Sequence, residues 1–182
     1  MTKRLFLAIE LPLEMRRMFF EWQENYRDLK AVKWTAEENL HITLAFLGNM
    51  EKSRIQPLIN ELTAELKNFD KFKLAFKAMV LAPDNRPARM IWADFYHSQK
   101  FNDLVNKIWQ AAKNYVEPEI YDNIKNPTAH VTMCRFREPV YLSALKQPAL
   151  KEKSFEVSSV NLMESELTRQ RPYYRVIKKF LI

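Results

Sequence analysis

Short runs in which apolar and polar residues alternate are separated along this chain by longer stretches with helical spacing. Arg4–Leu11 is an apolar run closed by Pro12 and predicts a strand. Met15, Met18, Phe19, Trp22, Tyr26 and Leu29 then share one helical face. Asn39–Leu47 reads as a strand ended by a Gly48-Asn49 turn. Ser53 is placed to cap a second helix with Ile55, Leu58, Ile59, Leu62, Leu66 and Phe69 on its buried side. Phe72–Ala82 and Arg89–Tyr96 predict two strands joined by a proline-flanked loop. Ser98 can cap a third helix, whose stripe is Phe101, Leu104, Val105, Ile108, Trp109, Ala112 and Tyr115. Residues 117–128 carry two prolines and read as a loop. Ala129–Phe136 predicts a strand, Tyr141–Lys146 a short helix, and Phe155–Met163 and Tyr173–Ile182 two final strands around a polar connection.

Helices mixed with many short strands predict an α+β fold, with antiparallel sheets and the helices outside. The layout repeats loosely, since each half has a long helix and a strand that begins His-x-Thr. Two lobes related by a pseudo-twofold axis would set those two strands face to face across a central cleft.

Composition narrows the picture. The chain has 182 residues, 47% hydrophobic and 13% aromatic, enough for one bilobal domain over residues 1–182. Gly48 is the single glycine, so glycine-rich phosphate and dinucleotide loops are excluded. A net charge of +7 favours a polyanionic partner. Cys134 is the one cysteine, so no internal disulfide can form, and a reducing compartment fits. Three histidines and one cysteine show no zinc spacing, and no metal site is expected. The basic start and the apolar run Leu5–Ile9 lack the length and cleavage site of a signal peptide. No stretch is long enough to span a membrane. A cytoplasmic protein without an obligate partner, a monomer, is the expectation.

The candidate chemistry lies in two tetrapeptides, His41-Ile42-Thr43-Leu44 and His130-Val131-Thr132-Met133. Residues i and i+2 of a strand share a face, so each segment offers an imidazole and a hydroxyl side by side. Thr occupies 7 of 182 positions. Two of three histidines would meet it two places on with a chance of about 0.005, which favours function for the pair. Two imidazoles near their pKa of about 6.5 can supply a general acid and a general base. Two hydroxyls can donate to non-bridging phosphate oxygens. Ile42, Leu44, Val131 and Met133 would back them with core. His97, between a strand and a helix cap, reads as a surface residue.

With these residues the chain resembles the two-histidine phosphoesterases, specifically the RNA 2′,3′-cyclic phosphodiesterase (LigT-like, or 2′-5′ RNA ligase) group. Arg4–Pro12 is similar to the opening strand of that family. Asn39–Gly48 and Ala129–Arg135 are similar to its two signatures, and Arg89–Trp92 and Leu162 through Tyr174 to further family segments. The resemblance implies a bilobal α+β fold around a cleft and hydrolysis of 2′,3′-cyclic phosphate ends of RNA, or of small cyclic nucleotides, to 2′-phosphates. It implies His41 as proton donor, His130 as proton acceptor and Thr43 and Thr132 as phosphate holders, with no metal or organic cofactor. The residues themselves do not tell the two histidines apart. Family likeness also implies substrate contacts at Phe46 and Arg135, each five places after its His. Simple alternation turns both to the opposite strand face, and a bulge or strand end would be needed to re-aim them. One departure is Ala129, where the family usually has Pro before the second His. Two alternatives stay open: joining of RNA ends through a 2′-5′ bond with the same four residues, and a non-catalytic nucleotide- or RNA-binding module.

Overall fold

In a computed structural model, residues 1–82, 87–122, 127–141, 145–148, 153–167 and 172–182 are described. The elements are β1 (Thr2–Glu10), α1 (Leu13–Gln23), β2 (Val32–Trp34), β3 (His41–Glu51), α2 (Lys52–Leu66), β4 (Phe72–Ala82) and β5 (Ala88–Phe95). They continue with α3 (Gln99–Ala112), α4 (Pro118–Asp122), β6 (His130–Val140), β7 (Ser154–Val157), β8 (Ser159–Leu167) and β9 (Pro172–Leu181). Short 3-10 turns cover Glu24–Tyr26 and Glu37–Asn39.

Every strand pairing is antiparallel, and the order is β7-β4-β5-β6-β3-β1-β8-β9, with β2 added to β6. The middle of this order is its thinnest join. β3 and β6 share one register pair, Ile42 with Val131, whereas β1 and β3 are paired over nine residues. The sheet is therefore two halves, of five strands (β7, β4, β5, β6, β2) and four (β3, β1, β8, β9), hinged on the motif strands, the expected α+β architecture. A strand–helix–strand unit recurs in both: β1-α1-β3 and β5-α3-β6.

Each half buries one face. Leu5, Leu7 and Ile9 of β1 enter the main core, while Phe6 and Ala8 point the other way, into a separate small cluster with Met163. Helix α1 lays Met15, Phe19 and Trp22 on the core, and Phe19 meets Phe76 of β4 at 5.3 Å between ring centres. α3 is the most amphipathic helix, and Ser98 caps it by accepting from the Phe101 amide at 3.3 Å, as its sequence predicts. It packs on α2 and β3.

Several boundaries move. Gly48-Asn49 is not a turn: β3 runs on to Glu51, and Gly48, at φ 73°, sits where the β1–β3 register slips. A glycine in the left-handed region lets a strand bulge without stopping. Ser53 lies inside α2, whose cap position is Glu51. Residues 117–128 contain the short helix α4, and residues 123–126 lie outside the described residues. The run Phe155–Met163 is two strands parted at Ser158. β7 pairs with β4, while β8 pairs with β1 and β9, at opposite ends of the sheet. The polar pair Ser158-Ser159 sits at the crossing, between Val157 and Val160. The expected helix Tyr141–Lys146 falls partly on residues 142–144, outside the described ones, and Tyr141, Leu145 and Lys146 are not helical.

Candidate active site

The pair Ile42–Val131 is antiparallel, so its register sets His41 opposite Thr132 and Thr43 opposite His130. Ile42 and Val131 are fully buried, and the four polar side chains all line one cleft of about 500 Å3. That volume is within the roughly 300–1,000 Å3 usual for small-ligand sites. The two motifs are thus brought together by the one contact that joins the halves of the sheet.

Each imidazole is fixed in the same way. His41 Nδ1 lies 2.7 Å from the Asn39 carbonyl, and His130 Nδ1 lies 2.9 Å from the Thr128 carbonyl, each two residues upstream. A carbonyl only accepts, so Nδ1 carries the proton in both rings and Nε2 is left for chemistry. Nε2 of His41 is 3.0 Å from the Thr43 hydroxyl, which donates to it when the ring is neutral.

The surroundings of the two rings differ. His41 is boxed by Phe6 at 5.1 Å and by the edge-on ring of Tyr174 at 5.4 Å. His130 stacks on Trp92, with ring centres 3.8 Å apart and planes 20° apart. In the repeated units Ala8 pairs with Thr43 where Trp92 pairs with Thr132, which is why only the second ring has an indole behind it. Burial lowers the pKa of both histidines below the ordinary value. The Asn39 carbonyl pulls His41 back up and the charge of His130 adds to the lowering. For His130 the Thr128 carbonyl and the Asp94 carboxylate work upward and Arg135 works downward. Asp94 is the strand neighbour of His130 and is held by Lys77 at 3.3 Å.

Phe46 and Arg135 do reach the cleft, against simple alternation. The β1–β3 register skips Leu44, and the β5–β6 register skips Met133. Both strands therefore carry a bulge between His+2 and His+5. Their burial patterns are the same for the first seven residues, with two consecutive buried positions before the exposed sixth. The extra residue turns Phe46, 60% exposed, and Arg135 back to the side of the histidines. The backbone loosened by the second bulge is recaptured: the Met133 carbonyl accepts from the Thr35 amide at 2.9 Å and from Gln23 at 3.4 Å. His97, in contrast, is exposed and bonds Asn102 at 3.0 Å, far from this chemistry in role and contact.

No side-chain pattern in the sequence singles out a role for Asn39, Thr128, Trp92 or Tyr174. The first two act through main-chain carbonyls, which no side-chain pattern signals. Trp92 comes from β5, which pairs with the motif strand β6, and Tyr174 from β9, which reaches His41 through a ring contact rather than through strand pairing. A second groove of about 310 Å3 opens beside His130, Thr132 and Arg135 and is walled by Val105 and Trp109 of α3 and by Pro127. Among the described residues, no group of three or more His, Cys, Asp or Glu is placed to hold a metal ion, and no helix is long and apolar enough to cross a membrane.

A fold of paired antiparallel half-sheets with two imidazole–hydroxyl pairs across one cleft is that of a phosphoesterase. Residues 9–92 match the family model described as LigT like phosphoesterase. The chain is 30% identical over 161 residues, 85% of each chain, to an Aquifex aeolicus protein named RNA 2′,3′-cyclic phosphodiesterase. It is 28% identical to a Methanocaldococcus jannaschii protein of the same name, over 97% of this chain and 99% of that one. Among solved structures, a Thermus thermophilus protein superposes with a TM-score of 0.82 at 25% identity, covering 98% of this chain and 97% of the other. Escherichia coli LigT in its apo form superposes at 0.81 and 22% identity, covering 99% and 97%, a likeness of fold. The chain belongs to the LigT-like phosphoesterase family.

Proposed function

We propose that the protein hydrolyses RNA 2′,3′-cyclic phosphate ends to 2′-phosphates without a metal ion. The carrying observation is the Ile42–Val131 pair, which sets an imidazole and a hydroxyl from each half around one cleft. In this reading His130 Nε2 takes a proton from water as the water oxygen attacks phosphorus. The bond from phosphorus to O3′ breaks, and His41 Nε2 gives its proton to that oxygen. The product keeps phosphate on O2′, His130 ends as imidazolium and His41 as neutral ring, and proton exchange with solvent resets both.

The tautomers support these roles. With Nδ1–H spent on a carbonyl, each ring works through Nε2 alone. Protonation of His41 at Nε2 ends its acceptance from Thr43, which frees that hydroxyl to turn toward a phosphate oxygen. Substrate charge is what brings the proton to His41, because burial alone disfavours imidazolium there. The Thr43 and Thr132 hydroxyls and the Arg135 guanidinium then meet the negative charge that grows on the phosphate oxygens. Phe46, largely exposed on the rim, offers its face to a base or ribose.

The aim toward RNA follows from the named relatives and from the net charge of +7. One assay tests the whole reading: an oligonucleotide ending in a 2′,3′-cyclic phosphate is incubated with the protein in EDTA. A 2′-phosphate end is the expected product. No turnover, or a 3′-phosphate product, overturns it, and turnover abolished only by EDTA overturns its metal-free form.

The groove beside His130 favours a second reading, end joining, because it leaves room for a nucleophile larger than water on the side of the proposed base. A 5′-hydroxyl oligonucleotide added in excess would then be recovered in a 2′-5′ bond, and its complete absence from product removes that reading.

A further inference from the structure

The catalytic pairs occupy one end of the cleft, and the rest of it is lined with cations. Arg4 of β1, Lys33 of β2 and Arg135 of β6 all face it, and among the described residues no carboxylate lines it. Lys33 and Arg135 are strand partners, so their charges stand side by side on one wall. Arg4 stands on the other. Arg4, Phe6 and Ala8 share the cleft face of β1, and Ala8 is the partner of Thr43. At about 3.3 Å per residue the Arg4 backbone lies ~13 Å beyond Ala8. Phe6 and Phe46, 6.2 Å apart, fill the interval between Arg4 and the catalytic threonine.

Tyr174 stands between the histidines and Arg4, its ring 5.4 Å from that of His41. Its ring meets Phe6 edge-on at 4.9 Å, and its phenol is close enough to both Arg4 and Arg135 to feel both charges. Among the described residues neither arginine has an ion pair with a carboxylate, and the one contact of the Arg135 guanidinium is with the Met90 sulfur. Other cations nearby are neutralised: Lys3 and Arg175 share Glu164, at 2.7 and 2.6 Å. Arg4, with no carboxylate partner among the described residues, and the Tyr174 phenol beside it offer an anion a place beyond the histidines, while Arg135 stays with the reacting phosphate.

We propose that Arg4 and Tyr174 form a second phosphate subsite, which holds the phosphate on the 5′ oxygen of the terminal nucleotide. This rests on the cyclic-phosphate reading given above. The reacting phosphate lies at the histidines, the terminal nucleoside lies over Phe6 and Phe46, and the next phosphate meets Arg4. The subsite selects ends of RNA, or nucleotides with a 5′-phosphate, over a bare nucleoside 2′,3′-cyclic phosphate. A 5′ phosphomonoester and the diester of a longer chain present the same anionic oxygens, and length is read only through that group.

Binding of product-like ligands tests the subsite without needing turnover. Affinities are measured by calorimetry for uridine 2′-phosphate, uridine 2′,5′-bisphosphate and the dinucleotide UpU carrying a terminal 2′-phosphate. In the wild type the second and third bind at least tenfold tighter than the first, and the advantage shrinks as salt is raised. Arg4→Ala brings the ratio of affinities toward one, and Arg4→Lys restores part of it. A bisphosphate advantage without a dinucleotide advantage assigns the subsite to monoesters alone and overturns its role in reading RNA. A wild-type ratio near one, or a ratio that Arg4→Ala leaves intact, overturns the proposal. Parallel turnover assays with an oligonucleotide ending in a 2′,3′-cyclic phosphate keep the two readings apart. Lost turnover with an intact affinity ratio sinks the catalytic reading alone, and the reverse pattern sinks the subsite alone.

Discussion

Ile42 is the backbone partner of Val131, and each is the middle residue of a His-x-Thr tripeptide. One ladder contact between two apolar residues therefore fixes the relative position of four polar ones. Ile42 and Val131 are both completely buried beneath the cleft, so the seam is held by core packing while its other face stays open to ligand. Rigid strands with locked tautomers are a sound base for acid–base chemistry, since a misplaced proton carrier costs rate steeply.

Removing either imidazole should lower kcat by about 10²–10⁴-fold, the range for loss of a positioned acid or base. The two variants separate with a sulfur-bridged substrate, in which sulfur replaces O3′ and leaves without needing a proton. His41→Ala should regain most of its loss on that substrate and His130→Ala should not. Equal recovery by both, or by His130→Ala alone, would reverse the assignment of donor and acceptor.

The hydroxyls admit an isosteric test. Thr43→Val and Thr132→Val keep the β-branched shape that suits a strand. Each should reduce kcat by roughly 10²-fold, as expected for loss of one oxyanion donor. Thr43→Val should also alter His41, whose Nε2 loses its hydroxyl partner. A drop in kcat below threefold for either variant would remove that threonine from the phosphate site.

Burial lowers the pKa of both His41 and His130 in the free protein. The alkaline limb of kcat/KM, set by loss of the proton from the acid, should therefore fall below pH 6.5 and the rate should already decline across neutrality. Bound phosphate raises His41, so the limb for kcat should lie at higher pH. Stability moves in the opposite direction with pH. A histidine whose folded pKa is depressed binds fewer protons than in the unfolded chain between its folded pKa and ~6.5. Stability is thus present above pH 6.5 and is lost as pH falls toward the folded pKa. Thermal melts of wild type and of His41→Ala should show a steeper acid loss in the wild type, and identical slopes would count against the burial effect.

Trp92 gives the sharpest contrast between the two halves. Its indole lies flat on His130, while the corresponding position beside Thr43 is Ala8. Trp92→Leu should free the His130 ring to turn and lower kcat more than it raises KM, because the ring and not the substrate loses its support. The acid limb of the pH profile, set by His130, should shift at the same time. A change in KM alone would make Trp92 a substrate contact instead.

The motifs and most elements were legible because alternation and helical spacing are local. Ser98 as a cap and Phe72–Ala82 as a strand needed nothing beyond their own neighbours. Phe46 and Arg135 were not settled by local pattern: period two turns them away, and only the skipped residues Leu44 and Met133 in the ladders turn them back. A bulge is a property of two strands, so one strand's sequence shows it poorly. Doubled apolar positions, Leu44-Ala45 and Met133-Cys134, were the available signal in both motifs. The crossing at Ser158 has a local mark, the Ser158-Ser159 pair, but the change of partner from β4 to β1 and β9 is a property of the whole sheet that the pair alone does not reveal.

Gly48 connects the strand geometry to the cleft. At φ 73° it occupies backbone space that an L residue enters at a cost, and an added Cβ would lie 2.7 Å from Cδ1 of Ile120. Ile120 in turn lines both the main cleft and the groove beside His130. Gly48→Ala should destabilise the fold by about 1–3 kcal/mol through the strained φ and the displaced side chain. Adding Ile120→Val removes the clashing methyl and should return the steric part while the backbone part remains. Urea unfolding of the single and double variants separates the two contributions, and KM for a cyclic-phosphate oligonucleotide should follow the steric part alone. Full recovery of stability in the double variant would mean that φ at Gly48 carries no strain for alanine. No recovery would mean that Ile120 yields freely and that the backbone alone requires glycine there.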